Sequence, residues 1–204
     1  MYLKKLALCT TFSLLSATAG IASAGTVNYQ YGELLSGSFT PDSVFANLSV
    51  STTDNLTYDF VLQTNDLDTI FTQNAFIGSV AVDTSFDKGE ALPSVGLVGS
   101  GNGVAEIGTS NGGGPTGVYD FRYVFGKGQD RLVANETVSW TSTFANEHLF
   151  DVGLFALHVQ GLTSEQGGSA WYTPSAVPVP AALPLMASAL GLFGIARRKQ
   201  KNLA

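Results

Sequence analysis

Apolar and polar residues alternate along several short stretches of this chain. In NLTYDFVLQ (55–63), Leu56, Tyr58, Phe60 and Leu62 fall on one side, opposite Asn55, Thr57, Asp59 and Gln63. In GVYDFRYVF (117–125), Tyr119, Phe121, Tyr123 and Phe125 alternate with Asp120 and Arg122. In ETVSWTSTF (136–144), Val138, Trp140 and Phe144 oppose Thr137, Ser139 and Thr141. A period of two marks strands with one buried face. FIGSVAVDT (76–84) and VGLFALHVQGL (152–162) are more continuously apolar, as expected of central strands covered on both faces. Glycine-rich turns separate the runs, and the longest, 99–117, reads as a surface loop between strands. No long stretch has helical spacing. The pattern predicts an all-β domain over 25–176: an antiparallel β-sandwich, jelly-roll or immunoglobulin-like.

The two ends depart from this pattern. Lys4 and Lys5 precede an apolar run from Leu6 to Ile21, and Ala22-Ser23-Ala24 fits a small-x-small cleavage site before Gly25. Residues 1–24 therefore read as a Sec signal peptide, helical while it lasts. The single cysteine, Cys9, lies inside it, so the mature chain is left without disulfides or thiol chemistry. At the other end, 181–196 carries no charged side chain. Counted from Val177, the apolar stretch is about the 20 residues that a transmembrane helix needs. Arg197, Arg198, Lys199 and Lys201 follow at once, a cluster that the positive-inside preference holds in the cytoplasm.

Removing the two ends changes the charge balance. Between them lie only Lys88, Arg122, Lys127 and Arg131 against all 16 acidic residues, a formal balance of −12 where the whole chain has −6. A body that acidic repels phosphate backbones, which excludes nucleic acid as a partner.

The tail, Val177-Pro178-Val179-Pro180, an apolar segment rich in Ala, Gly and Leu, then Arg197-Arg198-Lys199, resembles the PEP-CTERM sorting signal of Gram-negative bacteria that make exopolysaccharide. The usual motif has Glu where this chain has Val179. The resemblance covers 177–201. It implies an exosortase as partner, a transient stay in the inner membrane, cleavage near the prolines, and release to the cell surface or extracellular matrix. It also implies a non-enzymatic role in adhesion or biofilm structure, with exopolysaccharide or other surface proteins as partners. HVQGL and GGSAWY further resemble a strand pair recurrent in that class, giving His158 and Trp171 a scaffold role.

Candidate chemistry in the body is sparse. Nothing fits a G-x-S-x-G elbow or a phosphate-binding glycine motif. With His148 and His158 the only histidines, a zinc site would lean on carboxylates. His158 is expected as an inward or half-buried strand residue with one hydrogen bond. Asp66 and Asp68 in NDLD, and Asp83, Asp87 and Glu90 in DTSFDKGE, are candidate calcium ligands, although neither segment fits the EF-hand loop and solvated acidic loops are the plainer reading. The alternative functions are a calcium-dependent carbohydrate-binding module and a secreted carbohydrate-active hydrolase working through paired carboxylates. Tyr29 and Tyr31 read as core, with a sugar-stacking face as the alternative. Asn47, Asn55 and Asn135 open Asn-x-Ser/Thr triplets that, in a bacterial host, are chance matches.

Overall fold

The computed structural model describes residues 25–84, 90–101, 103–115, 117–126, 131–146 and 155–175. The expected signal at 1–24, the expected sorting segment at 177–201 with the helix expected over 181–196, His148 and Asp87 lie outside the described residues.

Ten strands form: β1 (Gly25–Ser36), β2 (Ala46–Thr52), β3 (Thr57–Thr64), β4 (Phe76–Val82), β5 (Ser94–Ser100), β6 (Ile107–Gly113), β7 (Tyr119–Phe125), β8 (Thr137–Thr143), β9 (Phe155–Gln160) and β10 (Ser169–Pro174). One short helix, α1 (Leu67–Ile70), lies between β3 and β4. Every pairing is antiparallel, and the order β5-β8-β3-β2-β1-β10-β9-β4-β7-β6 is a single unbroken sheet. It curls until β5 and β6 approach each other, nearly closing a barrel. Among the described residues no helix is long and apolar enough to cross a membrane.

Alternation in the sequence becomes inside and outside here. Tyr58, Phe60 and Leu62 of β3, Phe121, Tyr123 and Phe125 of β7, and Val138 and Trp140 of β8 are all buried in one core. Aromatic rings fill it. Phe60 stacks on Trp140 at 4.9 Å and meets Tyr123, from the far side of the barrel, at 5.3 Å. Tyr29 of β1 contacts Phe155 of β9 edge-on at 5.2 Å. Fully burying one such ring contributes on the order of 3 kcal/mol. In β4 and β9, Val80–Val82 and Phe155–Leu157 are buried on both faces, as their continuous apolar runs predict.

Local chemistry sets the turns. Between β2 and β3, Asp54 Oδ1 accepts the backbone N–H groups of Leu56 (2.9 Å) and Thr57 (2.7 Å), while Asn55 takes φ +58°, a left-handed conformation that Asn tolerates. Those hydrogen bonds hold the Asp54 carboxyl below the usual carboxylate range. After β9, Gly161 has φ +77°, and a Cβ there would lie 2.0 Å from the Asn74 carbonyl oxygen. Only glycine fits that position.

Two expectations are corrected. Residues 99–117 do not form a loop throughout, because Ile107–Gly113 pairs with β7 as edge strand β6. Cross-strand pairing overrides the poor strand propensity of its glycines. Tyr119 leaves the face that it was expected to share with Phe121. It packs instead with Ala81 and Ala156, its ring lying where a Cβ on Gly114 would sit.

Candidate functional site on the outer face

Register places the remaining chemistry. Trp171 of β10 pairs with His158 of β9, and His158 pairs with Ser79 of β4. One row along, Ala156 pairs with Ala81, and Ala81 with Arg122 of β7. Directly paired residues point to the same side of a sheet, and the neighbouring rows through Leu157, Val80 and Tyr123 point into the core. Trp171, His158, Ser79, Ala81, Ala156 and Arg122 therefore share the outer face. Asp83, one residue beyond β4, continues the alternation on that face toward Asp120 of β7.

The Trp171 and His158 rings are parallel, 4° apart in plane with centroids at 4.3 Å. His158 thus faces outward and half-buried, and among the described residues its partner is an indole rather than the expected hydrogen bond. Burial pulls its pKa down to about 4, and the Arg122 charge adds to the effect. The imidazole is neutral at pH 7.

Arg122 lies across Gly113, where a Cβ would come within 2.2 Å of its Cδ. Its Nε is buried with no hydrogen-bond partner among the described residues. Arg131, the other described cation, sits over the Phe76 ring at 4.1 Å. Asp120 Oδ2 accepts the Thr84 backbone N–H at 2.9 Å. Burial raises the Asp83 carboxyl, and the nearby Asp120 charge raises it further. Burial, then the Asp83 charge, pushes the Tyr119 phenol up as well. One side of the barrel thus gathers a stacked aromatic pair, a guanidinium and two carboxyls around a floor of two alanines, edged by Leu35 and Tyr119.

The calcium candidates among the described residues, Asp66, Asp68, Asp83 and Glu90, form no metal-holding group. Asp66 caps α1, its Oδ1 accepting the Thr69 N–H at 3.3 Å and its Oδ2 the Thr69 hydroxyl at 2.8 Å. Asp68 sits in the first turn of that helix, and Glu90 Oε1 accepts the Asn146 amide at 2.7 Å. Among the described residues, no three His, Cys, Asp or Glu side chains could hold one metal ion. Tyr29 and Tyr31 are core, not a sugar-stacking face, and the Tyr31 hydroxyl is buried without a partner among the described residues. Burial, with Tyr29 and Tyr119 nearby, holds that phenol well above its ordinary pKa.

Neither family models, curated proteins nor solved structures match this chain.

Sequence reasoning gave His158 and Trp171 a scaffold role and did not connect them to Arg122, Asp83 and Asp120. The one available signal was strand alternation, which sets Asp120 and Arg122 opposite the buried face of β7. It could not supply the register that brings β7 beside β4 and β9.

Proposed function

We propose that this chain is an exported, non-enzymatic surface protein, held in the inner membrane by its tail until an exosortase releases it to the cell surface or matrix. One observation carries the reading. An acidic, cysteine-free β-domain is followed by Val177-Pro178-Val179-Pro180, an uncharged apolar segment and Arg197-Arg198-Lys199. A chain without disulfides must rely on packing outside the cell, and the aromatic core supports that requirement. Of the jelly-roll and immunoglobulin-like forms of the sandwich, the nested pairs β4 with β7, β3 with β8 and β1 with β10 support the jelly-roll, with β4–β9 crossing that nest. Mass spectrometry of the surface-exported protein from an exosortase-positive host tests the reading. The mature form is expected to lack everything after about residue 180, and intact Ala204 on that form would contradict it.

A second reading, a carbohydrate-active hydrolase, is favoured by Asp83 and Asp120. A raised carboxyl beside a second carboxylate is the arrangement that glycosidic cleavage uses. Release of reducing ends from a polysaccharide would establish it in place of the non-enzymatic role.

A further inference from the structure

We propose that the outer face of β10, β9, β4 and β7 binds a neutral hexopyranose chain, with a sugar ring on the Trp171–His158 stack and its hydroxyls on Arg122, Asp120 and Asp83. This deepens the surface-module reading and rests on it.

Three observations support the assignment. Stacking holds both rings rigid on the outer face, each half-buried, and the ring surface that the stack leaves uncovered is what a pyranose C–H face can meet. Next, the polar groups on this face, Arg122 one outward row from the stack and Asp83 and Asp120 a row further along, are of both kinds. Arg122 only donates hydrogen bonds and the carboxylates only accept them, while each sugar hydroxyl does both. Asp120 Oδ2 is held by Thr84 and fixes the carboxylate, leaving Oδ1 to accept. Arg122 brings a desolvated Nε with no partner among the described residues. Finally, the body's balance of −12 selects against an anionic polymer. Asp83 and Asp120 stand on the same face, so a uronate chain meets carboxylates where a neutral chain finds acceptors. Metal is not needed for this binding.

The chain carries its own reporter. Of its two tryptophans, Trp140 is 1% exposed in the core and Trp171 is half-buried on this face. The exported protein is titrated with laminarin, dextran, cellohexaose and polygalacturonate while tryptophan emission is followed. At least one neutral glycan is expected to shift the Trp171 emission, and polygalacturonate to leave it unchanged. Trp171→Ala should weaken binding of that glycan, measured by affinity electrophoresis, about tenfold. Asp83→Asn keeps the side-chain shape and should weaken it as well, with Trp140 emission reporting an intact core in both variants. Silence from every neutral glycan, equal or tighter binding of polygalacturonate, or parental affinity in both variants would overturn the inference. A correctly processed protein that binds none of them would sink the sugar site and leave the surface-module reading standing.

Discussion

The Tyr123 hydroxyl donates to Ser142 Oγ at 2.8 Å, joining β7 to β8 through the middle of the core. These strands lie near opposite ends of the sheet order, so the bond ties together two strands that no ladder pairs directly. Burial, partly offset by the Ser142 hydroxyl, raises the Tyr123 phenol well above its ordinary pKa, keeping the donor protonated. The Trp140 N–H points at the same region without a hydrogen bond of good geometry. Tyr123→Phe leaves Ser142 buried and unpartnered and should cost about 1–3 kcal/mol in denaturant unfolding. Adding Ser142→Ala should recover part of that loss, because no polar group is then stranded.

His158 makes stability depend on acidity. Its folded pKa, about 4, lies below its ordinary 6.5, so between those values the unfolded chain takes up a proton that the folded chain refuses. The folded state should therefore lose stability as pH falls from 6.5 toward 4. Unfolding midpoints at pH 7 and pH 4.5 test this, and His158→Asn should show a shallower loss. Arg122→Gln should raise the His158 pKa, as followed by NMR titration, because a repelling charge is gone.

Gly161 accepts the Thr72 hydroxyl at its carbonyl (3.1 Å) and holds a left-handed backbone against Asn74. Gly161→Ala should destabilise the domain by more than about 1 kcal/mol, from strained φ and the collision with a carbonyl oxygen. A denaturant midpoint equal to the parent's would contradict this account of the turn.

Asp66 separates capping from calcium. Asp66→Asn retains an acceptor for the Thr69 N–H and should leave the thermal midpoint nearly unchanged, whereas Asp66→Ala should cost about 1 kcal/mol. A chelator should not move the parent's midpoint. If it lowers the midpoint, and Asp66→Asn removes that response, Asp66 is a calcium ligand after all.

Strand content was readable wherever side chains alternate in size and polarity. β3, β7 and β8 follow from Tyr58-Phe60-Leu62, Phe121-Tyr123-Phe125 and Val138-Trp140 because each needs only its own periodicity. β6 was not readable, since Gly108, Gly112 and Gly113 give no pattern and the strand exists through its bonds to β7. Tyr119 was misplaced for a related reason: where its ring goes depends on Gly114, just beyond the end of β6. The outer-face cluster needed still more. Trp171 and Arg122 lie on strands brought near each other only by pairing through β9 and β4, and register of that kind is a property of the assembled sheet.

β1 is hydrogen-bonded to β10, and the Ser175 N–H reaches the Gln30 carbonyl at 2.7 Å. Were the chain exported amino end first, as proposed, Gln30 would emerge early and Ser175 only after the rest of the domain. β1 and β10 are the central pair of the sheet, so its two halves would stay unjoined until that last strand arrived, a few residues ahead of the prolines at 178 and 180.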